Sequence, residues 1–147
     1  MLELITNSEE ETIELAKKVA KQLDKNSIIV LTGDLGSGKT KFTEGILTYY
    51  GLENEISSPT FTLVNEYNTK SFNIYHFDVY RLADEDEFFT IGGEEYFEKG
   101  ACIIEWGEMI ERILPKNYIK FSFSKDEEID NKRNIKIEFF GNSKLDL

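Results

Sequence analysis

Gly33-Asp34-Leu35-Gly36-Ser37-Gly38-Lys39-Thr40 fits the pattern G-x-x-x-x-G-K-[ST] of a phosphate-binding loop. In front of it, Ser27-Ile28-Ile29-Val30-Leu31-Thr32 reads as a buried strand. Behind it, Lys39 to Tyr50 reads as a helix, with Phe42, Ile46, Leu47 and Tyr50 on or near one face and Gly51 as C-cap. A strand, a glycine loop and a helix N-terminus are the parts such a site needs. Successive backbone N–H groups curl round phosphate oxygens, and the helix dipole adds positive potential. Lys39 is placed to reach the β- and γ-phosphates, and the Thr40 hydroxyl to sit on Mg²⁺. The nucleotide-binding stretch expected from this reading is Asp34, Leu35, Gly36, Ser37, Gly38, Lys39, Thr40 and Lys41.

The 147 residues suggest one domain, residues 1–147, long enough to bury a core without staples. Hydrophobic residues make up 40% and charged residues 31%, which places the chain with soluble globular proteins. A net charge of −11 argues against unaided binding to nucleic acid, because neutralising phosphates needs a basic face. It leaves room for a basic partner protein. Cys102 is the only cysteine, so no internal disulfide forms; within Ala101-Cys102-Ile103-Ile104 it reads as a small core residue. One Cys and one His make a zinc site improbable on donor count. The N-terminus has no basic run, and no apolar run approaches about 18 residues, so a cytoplasmic location is expected.

Working outward, Leu2 and Leu4 mark a short first strand. Ser8-Glu9-Glu10-Glu11 has capping-box form, and the apolar spacing after it predicts a helix from about Glu9 to Leu23. Downstream of the loop helix, Ile56 to Thr60 is a loop whose Ser58 is held extended by Pro59. Phe61 to Tyr67 and Phe72 to Leu82 are aromatic and β-branched, with a polar turn between, and predict an antiparallel hairpin. Asp84 to Phe89 and Glu94 to Lys99 read as acidic helical turns. Ala101 to Glu105 is apolar on both faces, as in a central strand. Met109 to Leu114 predicts a short helix stopped by Pro115. Tyr118 to Ser124 and Ile135 to Phe140 predict a second hairpin, joined by a polar loop from Lys125 to Arg133. The expected fold class is α/β, a phosphate-loop core with a mixed parallel and antiparallel sheet and a C-terminal β-hairpin.

Mg²⁺ needs a second anchor, usually an acidic residue ending a hydrophobic strand. Glu105, at the end of Ile103-Ile104, and Asp78, in Tyr75-His76-Phe77-Asp78, both qualify; Glu105 has the better form because its strand looks central. Asp78 shares a strand face with His76 and Tyr80. Lys39, Asp78 and Glu105 are thus the candidate catalytic residues, and Thr40 and Glu105 the candidate metal ligands. Thr60 is a candidate switch whose hydroxyl would reach Mg²⁺ or the γ-phosphate; its alternative is a turn residue beside proline. His76 reads as a structural aromatic rather than a base. Trp106 packs either beside the nucleotide or in the core. Asn131-Lys132-Arg133-Asn134 looks close to the guanine-reading Asn-Lys-x-Asp but ends in an amide and lies in the expected hairpin loop. With no Asp-x-x-Gly either, ATP is favoured over GTP, and Arg133 is a candidate for stacking on its adenine.

Four stretches in this order, Gly33 to Thr40, Ser58-Pro59-Thr60-Phe61-Thr62-Leu63-Val64, Tyr75-His76-Phe77-Asp78-Val79-Tyr80-Arg81-Leu82 and Ile104-Glu105-Trp106, resemble the TsaE (YjeE) family. The resemblance covers nearly the whole chain and is weakest in the first helix and the C-terminal hairpin. It implies an ATPase of bacterial threonylcarbamoyladenosine tRNA modification that binds ATP and Mg²⁺, hydrolyses ATP poorly alone and works with TsaB and TsaD. It implies Thr40 and Glu105 on Mg²⁺, Lys39 on the phosphates, Asp78 supporting hydrolysis and Thr60 in a switch-like loop. The alternative is a phosphate-loop small-molecule kinase. Such kinases usually carry several lid arginines, whereas this chain has only Arg81, Arg112 and Arg133. A third reading is a nucleotide-dependent interaction module without useful hydrolysis.

Overall fold

The computed structural model describes residues 1–34, 36–56, 64–79 and 85–147. The expectations for Leu35, for the Thr60 switch and for Arg81 fall outside these residues.

Strand β2 (Ile28–Gly33) is the axis of the sheet. Its apolar run serves both faces: Ile29 and Leu31 enter one core, Ile28 and Val30 the other. A strand buried on both faces must have neighbours on both edges, and β2 pairs in parallel with β5 (Ala101–Glu105) and with β6 (Tyr118–Lys125). β4 (Asn73–Asp78) lies parallel to β5, which makes a four-strand parallel centre. Antiparallel strands flank it: β3 (Val64–Asn68) on β4, and β7 (Arg133–Phe140) on β6 with β1 (Leu2–Thr6) beyond. The seven-stranded order is β1-β7-β6-β2-β5-β4-β3.

Helices α1 (Glu9–Ala20) and α2 (Lys39–Tyr49) cover one face, burying Leu15, Val19, Phe42, Ile46 and Leu47 against Leu31, Ile103 and Phe121. The other face packs Phe77 and Ile104 against Phe88 of α3 (Glu85–Thr90) and Ile110 of a 3-10 helix (Gly107–Ile113), with α4 (Gly93–Tyr96) beside them. Among the described residues no helix is long and apolar enough to cross a membrane.

Local rules account for the helix ends. At α1, Ser8 Oγ accepts from the Glu11 N–H at 3.1 Å, while Glu11 reaches back to the Asn7 N–H at 2.9 Å, one residue short of a standard capping box. The helix stops at Ala20, not Leu23, because the last turn tightens: Gln22 and Leu23 donate to the carbonyls three residues back. α2 ends as expected: Gly51 takes φ 76°, and the Leu52 N–H closes onto the Leu47 carbonyl.

Two expectations near the C-terminus need correction. Lys125 and Arg133 are not loop residues but a register pair at the mouth of the β6–β7 hairpin. Arg133 also faces Thr6, since β1 extends the ladder and draws it into the sheet. The Asn131–Asn134 stretch therefore lies only half in the turn: Arg133 and Asn134 belong to β7.

Candidate active site

β2 ends in Gly33 and α2 begins at Lys39, so the loop between them lies at the C-terminal edge of the parallel strands, where open α/β sheets bind ligands. Two glycines make its path possible. Gly33 takes φ 136°, and a Cβ there would stand 2.4 Å from the Phe123 carbonyl oxygen. Gly38, at φ 115°, is the N-cap of α2. No side chain caps α2; its first intrahelical bond is from the Phe42 N–H to the Gly38 carbonyl. The positive end of the dipole is left open for an anion. Ser37 is 1% exposed, yet its hydroxyl has no hydrogen-bond partner among the described residues. A buried orphan hydroxyl at the base of a glycine cradle fits a phosphate oxygen.

Lys39 is 5% exposed. Its Nζ donates to the Gly33 carbonyl at 2.6 Å and lies 3.5 Å from the centroid of the Trp106 ring. Trp106 holds a left-handed backbone at φ 64°, a conformation that costs a non-glycine residue about 1–2 kcal/mol and clusters at functional positions. Its N–H fixes the bend by donating to the Leu31 carbonyl at 2.8 Å. Trp106 therefore does both: its ring carries the loop lysine, and its side chain packs, half-buried, against the second core cluster. Thr40 is exposed on the first turn of α2. Lys41 turns its charge outward to Glu44 at 3.3 Å and Glu9 at 3.9 Å.

Register brings the carboxylates to this edge. Leu31, Glu105 and Asp78 sit side by side across β2, β5 and β4. Glu105 and His76 project to the α2 face, and the His76 Nε2 lies 2.7 Å from Glu105 Oε2. Their side chains are 13% and 7% exposed. Asp78 falls on the same face by strand alternation and is half-buried. His76 is thus more than a structural aromatic: it fixes the carboxylate next to the loop. The signal lay in its spacing, two residues before Asp78, but only the parallel β4–β5 register reveals the partner. Nδ1 of the same ring is buried without a partner among the described residues.

Arg133, expected in a loop, reaches the site from the sheet: Nη2 donates to the Gly36 carbonyl at 3.4 Å. Lys125, which the sequence did not single out, stands beside it. A Cβ on Gly36 would lie 3.1 Å from Lys125 Nζ. Asp34 is exposed at the loop entrance. No group of three or more His, Cys, Asp or Glu able to hold a metal occurs among the described residues. Cys102 lies away from this edge, and burial pushes its thiol up to about 12, as befits a packing residue.

The sequence matches the family model described as threonylcarbamoyl adenosine biosynthesis protein TsaE over residues 6–135. It is 42% identical over 130 residues to the tRNA threonylcarbamoyladenosine biosynthesis protein TsaE of Rickettsia conorii, covering 88% of this chain and 73% of the relative. It is 38% identical over 138 residues to the Bacillus subtilis protein of the same name, covering 93% and 85%. The crystal structure of Bacillus subtilis YdiB superposes with a TM-score of 0.75 at 34% identity, covering 96% of this chain and 86% of that one. Because the matched span takes in the loop, the His76–Glu105 pair and Arg133, the chain belongs to the TsaE family.

Proposed function

We propose that this protein is a Mg²⁺-dependent ATPase serving threonylcarbamoyladenosine formation in tRNA, and that TsaB and TsaD together activate it. One observation carries the reading: a single glycine loop combines a buried Ser37 hydroxyl with no partner among the described residues, a helix start without a side-chain cap, and a lysine parked on a carbonyl and an aromatic ring. The loop amides and α2 take the phosphates, and Lys39 exchanges the Gly33 carbonyl for phosphate oxygens. Thr40 and Glu105 would hold Mg²⁺, which would supply positive charge against the phosphates. His76 keeps Glu105 in one orientation. Asp78 orients the attacking water. Because Lys39 already has partners in the ligand-free state, productive binding requires a rearrangement, and a partner that favours the rearranged state accelerates turnover.

Phosphate release from MgATP tests this, measured for the protein alone and with TsaB and TsaD added. Weak release that rises with both partners and vanishes in Lys39→Ala is expected. Equal release with and without partners would remove the switch, and transfer of phosphate to a metabolite would replace the ATPase by a kinase.

A further inference from the structure

The two cations on the outer flank of the loop have no part in the mechanism above. Lys125 and Arg133 are directly opposed across β6 and β7, so the hairpin delivers them as a pair. Arg133 packs its stem along the loop: a Cβ on Gly38 would meet its Cγ and Cδ at 3.7 and 3.8 Å. The described acceptors of its guanidinium are two backbone carbonyls, Lys132 at 2.9 Å and Gly36 at 3.4 Å. Among the described residues no carboxylate lies within 4.0 Å of either cation, as is also the case for Lys18, Lys21, Lys25 and Lys136, so it is their place beside the loop that sets the two apart. In a chain with 28 acidic and 17 basic residues, the hairpin sets two cations beside the glycine loop.

Their flank identifies what they meet. β5 and β4, bearing Glu105, His76 and Asp78, lie on one side of β2; β6 and β7 lie on the other. A nucleoside polyphosphate is linear. If its γ-phosphate points toward the carboxylates that serve Mg²⁺ and water, its nucleoside end leaves over the opposite flank. We infer that Lys125 and Arg133 form the nucleoside-side wall of the phosphate site, binding the α- and β-phosphates common to ADP and ATP. This rests on the nucleotide reading above and adds to it a pair of residues on the C-terminal hairpin. It makes the hairpin a part of the binding site rather than an edge of the sheet, and it assigns Arg133 to phosphate rather than to adenine stacking.

Isothermal titration of the full chain with MgADP and with MgATP decides the matter. Arg133→Ala is expected to weaken both by about tenfold, equally, as loss of one charge-assisted phosphate contact. Lys125→Ala, at an exposed position where folding is not at stake, is expected to weaken both by about threefold, an effect that shrinks in high salt. Arg133→Lys keeps the charge and should recover part of the loss. A loss confined to MgATP would put the cations on the γ-phosphate and overturn the inference. Unchanged affinities in both alanine variants would overturn it too, while binding by the unmodified protein left the nucleotide reading standing. An unmodified protein that binds neither nucleotide sinks both.

Discussion

Ser37→Ala is expected to stabilise the ligand-free protein and to weaken its response to nucleotide. The residue is 1% exposed, and its hydroxyl has no partner among the described residues. Leaving such a group unsatisfied costs about 1–3 kcal/mol. Removing the oxygen also forfeits several dispersion contacts at about 0.1–0.2 kcal/mol each. The net gain is about 1 kcal/mol, which for a chain of this size raises the melting temperature by about 2–4 °C. With MgATP the sign reverses. At a hundredfold excess over its dissociation constant a ligand stabilises by about 2.7 kcal/mol. If the lost hydroxyl–phosphate contact weakens binding about tenfold, the same concentration stabilises the variant by only about 1.4 kcal/mol. Thermal melting followed by circular dichroism, with and without MgATP, reads both quantities. A variant that melts lower than the unmodified protein without nucleotide would show that the hydroxyl is satisfied, and the argument from the orphan atom would fail.

Gly45→Ala should destabilise by about 1 kcal/mol in urea titration: the new methyl meets Ala16 Cβ at 2.6 Å and the Ile13 carbonyl at 2.9 Å, an overpacking cost of about 2 kcal/mol against a helix-propensity gain of about 1. An unchanged midpoint would mean that α1 and α2 separate freely. Glu105→Gln should reduce the Mg²⁺-dependent part of ATP affinity more than Asp78→Asn, which should act chiefly on turnover; the reverse order in titrations and phosphate-release assays would exchange their roles. Stability should fall between about pH 9 and pH 12. Burial raises the Cys102 thiol from 9.0 to about 12 and the Tyr50 phenol from 10.0 to about 12, so in that window the unfolded chain has lost protons that the folded one keeps. The stabilising difference is complete below the unfolded values. A flat urea midpoint from pH 8.5 to 11 would contradict it. For the same reason Cys102 should react with a thiol reagent only as fast as the protein unfolds; fast labelling of the native protein would contradict its burial.

The short-range features were legible in the chain. A glycine loop between an apolar strand and a helix is specified within about 25 residues, because the loop's backbone conformations and the helix caps depend on near neighbours. Ala101 to Glu105 announced a central strand because burial on both faces leaves an uninterrupted apolar run. The limits of α1 and the mouth of the second hairpin were missed by a few residues, because the last-turn bonds of α1 and the pairing of Arg133 with Thr6 depend on geometry that periodicity does not carry.

What the sequence by itself determined was the glycine loop, Gly33 to Thr40, between its strand and its helix, and the carboxylates that end two apolar strands, Glu105 and Asp78. Only the tertiary structure decided their company. His76 meets Glu105 because β4 and β5 pair in parallel at one particular register, and a shift of one residue would turn either side chain to the other face. Trp106 meets Lys39 because the strand end bends into a left-handed conformation. Lys125 and Arg133 reach a loop about 90 residues earlier because β6 lies against β2. Such contacts are set by strand order and register, which depend on the packing of the whole sheet and leave no mark in the spacing of any one stretch.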